Sequence, residues 1–542
     1  MGVRREETRT LNEKSNLVLI GFMGTGKSSV GRSLARKLDM QLVDTDQEVE
    51  SATGLTVPEI FRRYGEVRFR SEESLIVKKI SRYENCVIAT GGGVVLNEEN
   101  LTELKRNGCL VCLRSRPEII KSRVQRKPRP LLARDNSLEN IQRMLQERER
   151  FYEKAELVVE TSDDPLEKVV DEIADWFALR RSRQVRVDTD GGAYDIFIGQ
   201  SLLSSLGTLM VERVKGKRCL LVSNPRVSEL YAERVRSSLE KSGFKVTDGL
   251  VPDGEEYKSL KSAEQLYDAA VEAGLDRDSA VVALGGGVIG DLAGFIAATY
   301  LRGISLVQVP TTLLAQVDSS VGGKVAVNHP QGKNLIGAFH QPRLVVCDTD
   351  VLNTLDPREM RSGMAEVIKY GVIWDSGLFE HLERVLQAEP GMSPTDLIPI
   401  ITRCCEIKAD IVGRDEREHG VRTLLNLGHT LGHALEGETG YQVFRHGEAV
   451  AVGMAAAGRL AVSTGRWSEP EQDRLLKLLE AAGLPIRTEG IPSGGLMAWM
   501  ERDKKAQGGR VRWVLPLSVG RAEVVPSLPD ELVEPVIREF VR

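Results

Sequence analysis

The stretch Leu17-Val-Leu-Ile-Gly-Phe-Met-Gly-Thr-Gly-Lys-Ser28 decides the fold of the N-terminal part of the chain. It begins with an apolar, strand-like run, matches the pattern G-x-x-x-x-G-K-[ST], and is followed by a helical pattern. Such glycines let backbone N–H groups surround phosphates, and the start of the helix adds the positive end of its dipole. Lys27 is placed to reach the β and γ phosphates, and Ser28 Oγ to ligate Mg²⁺. The segment therefore predicts a nucleotide-binding P-loop.

Around this loop, short apolar runs alternate with longer helical patterns from residue 16 to residue 160. This alternation predicts a parallel sheet with helices on both faces, closed by a helix over residues 165–179. The expected strands are Leu17–Ile20, Cys86–Ala89, Leu110–Leu113 and Leu157–Val159. Cys109 and Cys112 form a C-x-x-C in one of them, but residues three apart on a strand point to opposite faces. We interpret both as core residues and not as metal ligands.

The rest of the chain divides into two further parts. A basic stretch, residues 180–184, breaks the apolar pattern and is interpreted as a linker after a first domain of residues 1–179. Residues 185–355 repeat the alternation of strands and helices, which predicts a second α/β lobe. Residues 356–542 are mainly helical, and the next strand is expected at Arg510–Leu515. We expect a ligand-binding cleft between these two lobes.

The composition excludes several classes of protein. At 542 residues the chain is too long for one core, and its 41% hydrophobic and 28% charged residues are ordinary for a globular protein. A net charge of −5 argues against a nucleic-acid partner or an anionic membrane surface. No apolar run is long enough to span a bilayer, and the polar N-terminus lacks the core of a secretory signal. Seven cysteines without a framework of spacings fit a cytoplasmic protein.

Polar residues follow the strands of the first domain at the edge of the sheet where the P-loop lies. Asp44 and Asp46 end one apolar stretch, and Gly91–Gly93 follows another. One aspartate can support Mg²⁺, and the other can accept a hydrogen bond from a substrate hydroxyl. An arginine such as Arg70 beside a glycine-rich turn suits a substrate that bears a carboxylate. Arg129, in a basic loop, is expected on a lid over the phosphates.

These motifs resemble those of shikimate kinase over residues 15–175. The matching pieces are Gly21–Ser28, Asp44–Asp46, Phe69-Arg70, Gly91–Gly93, Arg129–Leu132 and Arg148 before Phe151-Tyr152. The resemblance implies transfer of a phosphoryl group from ATP to the 3-hydroxyl of shikimate. It also implies a role for each residue. Asp46 would act as the base, Lys27 and Arg129 would contact the γ-phosphate, and Ser28 and Asp44 would bind Mg²⁺. The contacts to shikimate would be Asp46, Arg70, Gly91, Gly92, Gly93 and Arg148, and those to the nucleotide would be Gly24, Thr25, Gly26, Lys27, Ser28 and Ser29. A kinase for another small metabolite, such as gluconate, is the alternative.

The second α/β lobe has a glycine-rich turn of its own. Gly285–Gly290 fits G-x-G-x-x-G, follows the apolar run Ala280–Leu284 and opens a helical pattern, which favours a cradle for a pyrophosphate. The acidic residue usual about twenty positions later is absent, because Gln308–Thr312 stands there. A dinucleotide must therefore find its ribose contacts elsewhere, for example in Asp253–Lys258.

Three of the seven histidines, His429, His433 and His446, fall within one short stretch. His429 and His433 are four apart in an expected helix over Leu424–Leu435, so they share a face. Together with a carboxylate such as Glu366, two imidazoles make a zinc site that keeps a position open for substrate. Spacing alone nominates the pair His429 and His433. Four lysines lie in glycine-rich or mixed segments and, clustered near a metal, would bind a phosphate and a carboxylate: Lys324, Lys333, Lys369 and Lys408.

The same residues resemble 3-dehydroquinate synthase over residues 185–530. The matching stretches are Asp253–Lys258, Gly285–Asp291, Arg302-Gly303, Pro310–Thr312, Asp318–Lys324, Gly332–Gly337, Ala365–Lys369 and Asn426–Ala434. The resemblance implies zinc, or cobalt, held by Glu366, His429 and His446, with His433 turned to the substrate. NAD contacts would come from Glu255, Lys258, Gly286, Gly287, Asp291, Thr311, Thr312 and Asp318. Substrate contacts would come from Arg302, Lys324, Lys333, Asn334, Lys369, Lys408, Arg422, Asn426 and Lys505 or its neighbour Lys504, with Lys324, Lys369, His433 and Arg302 among the catalytic groups.

The two resemblances together imply a P-loop kinase domain followed by an α/β NAD-binding lobe and a mostly helical metal-binding lobe. We expect small-molecule substrates and a homodimer formed through the second half. Two alternatives compete for that half: a zinc polyol dehydrogenase of the glycerol-dehydrogenase type, and a cyclase for sedoheptulose phosphate or glucose phosphate. The candidate phosphate-binding and carboxylate-binding cations disfavour both. A non-enzymatic module is disfavoured because both constellations are intact.

Overall fold

The fold was obtained as a computed structural model, which describes residues 14–126, 135–387, 394–506 and 511–541. These residues form two compact units, and the boundary between them falls between Arg181 and Ser182. Each unit is built on a parallel sheet with helices, so the predicted α/β class is confirmed.

The first unit contains a five-stranded parallel sheet in the order β2-β3-β1-β4-β5. Its strands are β1 (Asn16–Gly21), β2 (Gln41–Asp44), β3 (Cys86–Ala89), β4 (Gly108–Arg114) and β5 (Leu157–Glu160). Its helices are α1 (Lys27–Lys37), α2 (Thr45–Thr53), α3 (Val57–Ile80), α4 (Glu98–Asn107), α5 (Pro117–Arg126), α6 (Leu138–Tyr152) and α7 (Leu166–Arg181). The apolar run at the start of β1 is fully buried at the centre of the sheet, which places the P-loop at the carboxyl edge.

Helices cover both faces of this sheet and create two separate hydrophobic cores. Cys112 belongs to one core with Ile20, and Cys109 belongs to the other with Leu19. The two thiols therefore point to opposite faces, as the period of two along a strand requires. Burial also raises the pKa of each thiol to about 11, which fits packing and not metal binding.

The second unit contains a seven-stranded sheet in the order β6-β7-β14-β11-β10-β8-β9, and two separate hairpins, β12-β13 and β15-β16. The strands are β6 (Arg183–Thr189), β7 (Gly192–Gly199), β8 (Arg218–Ser223), β9 (Lys245–Leu250), β10 (Ala280–Gly285), β11 (Ser305–Pro310), β12 (Lys324–His329), β13 (Gly332–Phe339), β14 (Leu344–Asp348), β15 (Trp513–Ser518) and β16 (Arg521–Val525). The pair β6-β7 is antiparallel, and the other neighbours in the large sheet are parallel.

Helices of this unit fall into two groups. Those among the strands of the large sheet are α8 (Leu206–Val211), α9 (Pro225–Val227), α10 (Glu233–Lys241), α11 (Leu260–Glu272) and α12 (Gly287–Thr299). Those after it are α13 (Pro357–Ile373), α14 (Ser376–Leu386), α15 (Pro394–Arg414), α16 (His429–Glu438), α17 (His446–Ser463), α18 (Glu469–Ala481), α19 (Ser493–Ala506) and α20 (Asp530–Phe540). Within the described ranges, no helix is long and apolar enough to cross a membrane.

Two expected boundaries differ from those observed. The linker expected at 180–184 is shorter, because α7 continues to Arg181 and β6 begins at Arg183. Arg181 stays helical since its guanidinium packs over the Phe177 ring one turn earlier, 5.5 Å from the ring centroid. The strand expected at Arg510–Leu515 begins at Trp513 and pairs with β16 as far as Ser518, while Arg510 lies outside the described residues.

Candidate active sites

The P-loop joins the end of β1 to the start of α1. Gly24 and Gly26 have φ values of 84° and 98°, in the left-handed region that glycine adopts without strain. Lys27 Nζ donates hydrogen bonds to the carbonyls of Gly21, at 2.8 Å, and Phe22, at 2.9 Å, so the ammonium lies inside the loop. The loop has the curvature and the charge that a nucleotide phosphate requires.

Ser28 and Asp44 meet beside the P-loop, as the sequence predicts for a magnesium site. Ser28 Oγ donates to Asp44 Oδ2 at 2.8 Å, while Asp44 Oδ1 accepts from the backbone N–H of Asp46 at 3.0 Å and caps α2. One carboxylate oxygen thus fixes the helix start, and the other stands next to the serine hydroxyl. A hydroxyl and a carboxylate oxygen are ligands that Mg²⁺ prefers.

The glycine-rich turn Gly91–Gly93 lies directly against the predicted substrate residues. A Cβ at Gly91 would stand 2.5 Å from Asp46 Oδ1, and a Cβ at Gly93 would stand 2.2 Å from Arg70 Nη2. Arg148 is buried, donates to the Gly92 carbonyl at 2.8 Å and lies over the Phe22 ring. The turn, the aspartate and both arginines therefore lie against one another. Arg129 lies outside the described residues.

Sequence reasoning missed Glu73, a buried carboxylate in this site. Its Oε2 accepts from Arg70 Nη1 at 2.7 Å, and its Oε1 would be 3.0 Å from a Cβ at Gly91. Burial raises the pKa of Glu73, and the neighbouring Arg70 partly offsets this rise. Its position three residues after Arg70 on a helix was the available signal.

The helix expected over Leu424–Leu435 is in fact two pieces. A 3-10 turn covers Val421–Asn426, and α16 begins only at His429, after Gly428 with a φ of 82°. The break occurs because Gly428 packs against α17, where an added Cβ would meet the Val450 carbonyl at 2.6 Å. His429 is therefore the first residue of its helix, and His433 lies one turn later.

Two clusters among the described residues could hold a metal ion: His433, Glu436 and His446, and the one with the expected residues, Glu366, His429 and His446. The Nε2 atoms of both histidines lie 3.7 Å from Glu366 Oε1, and the three ligand atoms lie within 4.8 Å of one another. In a tetrahedral zinc site with bonds of about 2.1 Å, ligand atoms stand about 3.4 Å apart. The cluster is close to that geometry, and of the pair nominated by spacing it includes His429 but not His433.

The surroundings of this cluster fit a bound cation. Glu366 is fully buried, and neither carboxylate oxygen has a hydrogen-bond partner, although the ammonium of Lys369 forms an ion pair with it. His429 Nδ1 contacts the Leu427 carbonyl at 3.1 Å, which leaves Nε2 for the centre of the cluster. Burial, and then the charge of Lys369, lowers the pKa of His429 well below its usual range. A neutral imidazole is the form that binds zinc.

His433 takes a different position from the other two histidines. It is exposed, and its ring centroid lies 5.3 Å from that of His429 and 6.0 Å from that of His446. Desolvation of the ring by the surrounding protein, and then the charge of His446, lowers the pKa of His433 to about 4. A neutral, solvent-facing imidazole beside the metal cluster can accept a proton from a substrate.

Lys408, which is buried, forms an ion pair with the half-buried Asp318. Lys408 Nζ donates to Asp318 Oδ1 at 2.6 Å, and Tyr370 donates to the same oxygen at 3.1 Å. Burial acts to raise the pKa of Asp318, but Lys408 and then Lys369 outweigh it and lower that pKa. Asp318, expected to contact NAD, and Lys408, expected to contact substrate, therefore lie together, and their opposite charges neutralise each other.

The glycine-rich turn of the second unit packs tightly against its own chain. A Cβ at Gly286 would stand 3.0 Å from Thr312 Cγ2, and one at Gly287 would stand 3.2 Å from Ser319 Oγ. Thr311 N donates to the Gly285 carbonyl at 3.0 Å, so the turn and the Thr311-Thr312 segment lie side by side. The start of α12 then offers free backbone N–H groups to a pyrophosphate.

A second group of predicted residues lies around Lys258 and Glu255. Lys258 is buried, forms an ion pair with Asp291 and donates to Asn334 Oδ1 at 2.5 Å. Glu255 Oε1 accepts from Asn328 Nδ2 at 2.8 Å and lies 3.9 Å from Lys333 Nζ. The residues expected to contact NAD and those expected to contact substrate are therefore contiguous.

Three more predicted substrate residues are linked through Glu418 and its neighbours. Glu418 forms an ion pair with Lys324 and accepts from Asn426 Nδ2 at 2.8 Å. Arg422 is buried and donates to the Gly322 carbonyl at 3.0 Å. Glu418 had no signal in the sequence, because only the fold brings it to Lys324, 94 positions away.

Within the described part of the chain, Arg302 is the predicted residue that is not brought into this arrangement. Arg302 is exposed on a turn, and within the described part of the chain no hydrogen bond or ion pair links it to the other site residues. Its φ of 68° and that of Leu301, 50°, mark a strained turn. Lys505 lies near the end of α19, and its side chain is outside what the structure describes.

Comparisons with known proteins match both halves. The shikimate kinase family model matches residues 23–178, and the N-terminal and C-terminal models of 3-dehydroquinate synthase match residues 249–362 and 363–506. A 3-dehydroquinate synthase from Nostoc punctiforme is 50% identical over 357 residues, which cover 65% of this chain and 98% of the relative.

Solved structures of two synthases resemble the second half. A 2-deoxy-scyllo-inosose synthase, in complex with carbaglucose-6-phosphate, NAD⁺ and Co²⁺, is 29% identical with a TM-score of 0.61, and the match covers 66% of this chain and 100% of that one. A 2-epi-5-epi-valiolone synthase from Streptomyces hygroscopicus, with NAD⁺ and Zn²⁺ bound, is 26% identical with a TM-score of 0.58, covering 64% and 96%. The Nostoc relative is far more similar in sequence to this chain than either of these two structures, and the match covers nearly the whole length of that relative. The chain therefore belongs to the 3-dehydroquinate synthase family, and a shikimate kinase domain precedes the synthase.

Proposed function

We propose that this chain phosphorylates shikimate with ATP to shikimate 3-phosphate. We also propose that it converts 3-deoxy-D-arabino-heptulosonate 7-phosphate to 3-dehydroquinate with loss of phosphate. The observation that carries the second assignment is the buried Glu366, faced by two histidine Nε2 atoms and paired with Lys369. The first rests on the P-loop with Asp46, Arg70 and the Gly91–Gly93 turn packed beside it.

In the kinase site, each side chain has a separate task. Ser28 and Asp44 would hold the Mg²⁺ that accompanies ATP, and Lys27, with Arg129, would steady the γ-phosphate. Arg70 and Arg148 would bind the shikimate carboxylate at the glycine turn. Asp46, next to that turn, would orient the 3-hydroxyl and accept its proton.

Replacement of Asp46 by Asn tests the kinase assignment. Loss of a general base lowers kcat by about 100-fold or more, so ADP formation with shikimate should fall by that factor in D46N. Gluconate should support no ADP formation in either protein. Turnover of gluconate by the wild type, with shikimate inert, would favour the alternative of another small-metabolite kinase.

In the synthase site, NAD would supply the reversible oxidation of the carbon that bears one substrate hydroxyl, and a divalent metal such as Zn²⁺ or Co²⁺ would polarise that hydroxyl. Glu366, His429 and His446 would hold the metal. Gly286 and Gly287, at the start of α12, would hold the pyrophosphate of the dinucleotide. The remaining contacts to the dinucleotide are assigned to Glu255, Lys258, Asp291, Thr311, Thr312 and Asp318.

The cations around this site suit a substrate that carries both a phosphate and a carboxylate. His433, exposed beside the metal cluster, would receive and return a substrate proton. The groups proposed to bind the substrate anions and hydroxyls are Arg302, Lys324, Lys333, Asn334, Lys369, Lys408, Arg422, Asn426 and Lys505. A polyol dehydrogenase would not need these cations.

Phosphate release measures the synthase activity directly. With the seven-carbon keto-acid phosphate, catalytic NAD and Zn²⁺, the wild type should release phosphate without net NADH, and Lys324→Ala should lose this activity. Kinase activity of the same preparation is the control for folding. Steady accumulation of NADH without phosphate would contradict the synthase and indicate a dehydrogenase, while turnover of glucose phosphate or sedoheptulose phosphate would indicate another cyclase.

We further propose that the chain forms a homodimer through the synthase unit. Leu335 and Phe339 lie on the same face of β13 and are 63% and 47% exposed, and Leu301 beside Arg302 is 41% exposed. Large exposed apolar side chains of this kind favour an interface. Light scattering should give the mass of two chains, and Phe339→Ser should shift the equilibrium to one; a wild type that stays at one chain would contradict the dimer.

The cytoplasm is the location we propose for this enzyme. All seven cysteines are buried as free thiols, which suits a reducing compartment. Cell fractionation should recover both activities with cytoplasmic markers.

A further inference from the structure

Glu436 lies on α16 one turn after His433, and only 5% of it is exposed. Its Oε2 lies 3.2 Å from Nδ1 of His446, and its Oε1 lies 3.4 Å from Nζ of Lys333. The carboxylate therefore stands between a proposed metal ligand and a cation proposed to bind substrate. No role is assigned to it by the proposed reaction.

The contact with His446 determines which nitrogen of that ring faces the metal cluster. When the carboxylate accepts a hydrogen bond from Nδ1–H, the lone pair is left on Nε2, the atom that lies 3.7 Å from Glu366 Oε1. The same contact fixes the rotation of the ring about its side-chain bonds. A carboxylate behind a ligating histidine is known to orient the ligand and raise its basicity.

The contact with Lys333 extends from the helical lobe to the α/β lobe. Lys333 lies on β13, 3.9 Å from Glu255 Oε1, and its ammonium stands 4.0 Å above the centre of the Tyr441 ring. Glu255 in turn accepts from Asn328 at the end of β12. A chain of charged contacts thus connects His446, through Glu436 and Lys333, to a loop expected to bind NAD.

We propose that Glu436 is a positioning residue: it orients His446 for metal binding and, through Lys333, couples the metal site to the nucleotide-binding lobe. This inference rests on the proposed metal site at Glu366, His429 and His446. It assigns to Glu436 no direct contact with the substrate.

Cobalt binding to the metal-free, full-length protein tests the orienting role, because Co²⁺ reports its own ligand geometry by absorption. Loss of an outer-shell partner typically weakens metal binding about 10–100-fold, so Glu436→Ala should bind Co²⁺ more weakly by that factor and change its spectrum. Glu436→Gln still offers an oxygen to Nδ1–H and should lose less. Glu438→Gln, on the exposed end of the same helix, is the matched control and should match the wild type.

The coupling to Lys333 is tested by a double-mutant cycle on the same Co²⁺ affinity. Lys333→Met should change the Co²⁺ affinity of the otherwise wild-type protein by a few-fold, because it alters the charge and position of Glu436, and should have no further effect when Glu436 is already Ala. Fully additive effects would overturn the coupling. Wild-type Co²⁺ affinity and spectrum in Glu436→Ala would overturn the orienting role.

Glu366→Gln separates failure of this inference from failure of the metal site. If the wild type binds no Co²⁺, or Glu366→Gln binds it equally well, the proposed metal site itself is wrong. If Glu366→Gln abolishes binding while Glu436→Ala leaves it unchanged, only the role of Glu436 is wrong. Should Glu436→Ala fail to fold, the smaller loss expected in Glu436→Gln decides the question.

Discussion

Single atoms decide the geometry of the Gly91–Gly93 turn, which we propose binds shikimate. Gly93 has ordinary backbone angles, with a φ of −114°, so its lack of a side chain is not needed for the turn itself. It is needed for space, because an added Cβ would stand 2.2–2.5 Å from the atoms of the Arg70 guanidinium. Real Cβ atoms do not approach other heavy atoms so closely, so one of the two groups must move.

Gly93→Ala should therefore displace Arg70 without unfolding the domain. A misplacement of about 1 Å can cost about 100-fold in rate, and we expect kcat/KM for shikimate to fall by roughly that factor, mainly through KM. Steady-state kinetics with varied shikimate measures the change. The synthase activity of the same chain is an internal control, and unchanged kinase kinetics would contradict the assigned position of Arg70.

At the scale of elements, the start of α16 sets the metal site. The helix could have run on from Val421–Asn426, but Gly428 interrupts it and lets the chain lie against α17. As a consequence His429 occupies the first position of α16 and faces His446 at the first position of α17, with ring centroids 5.2 Å apart. Two helix starts brought together by close backbone packing thus position two of the three proposed ligands.

Gly428→Ala should disrupt this junction by two separable effects. A left-handed residue other than glycine costs about 1 kcal/mol, and here the Cβ would also meet the Val450 carbonyl at 2.6 Å. Gly440→Ala, which has a φ of 62° and open space around it, carries the first effect alone. We expect loss of bound metal and of synthase activity in Gly428→Ala only, measured by metal content and phosphate release; equal behaviour of the two variants would contradict the steric argument.

For the whole molecule, the important feature is that each unit has its own sheet and its own core. The cores of the first unit contain residues from Leu17 to Phe177, and a core of the second unit contains residues from Leu220 to Val327. The chain passes from one unit to the other between α7 and β6, with Ser182 as the single intervening residue. A unit that buries its own apolar surface is expected to fold by itself.

Separate expression of residues 1–181 and 182–542 tests this independence. Each fragment should fold and keep its activity within about twofold of the intact chain, because neither proposed site takes residues from the other unit. Circular dichroism and the two activity assays provide the measurement, with an equimolar mixture as control. Recovery of either activity only in the mixture would indicate that the units depend on each other.

Much of this organisation was predictable from the sequence, for identifiable reasons. The P-loop and the turn Gly285–Gly290 are local motifs in which strand, glycine turn and helix follow one another directly, so their structure depends on nearby residues. The opposite orientation of Cys109 and Cys112 follows from the period of a strand. The spacing of His429 and His433 was misleading, since a shared helix face does not show which residues of other helices lie opposite.

The sequence by itself therefore determined the α/β class, the two nucleotide-binding turns and the set of residue types available for chemistry. Residue spacing could not show which of those residues meet: Glu366 with His429 and His446 was implied by the family resemblance, whereas Glu73 with Arg70 at the glycine turn and Glu436 with Lys333 became visible only in the folded structure. The physical reason is that a turn is fixed by backbone preferences of adjacent residues. A metal or anion site is instead fixed by packing between helices and strands far apart in the chain, whose contacts leave no regular spacing in the sequence.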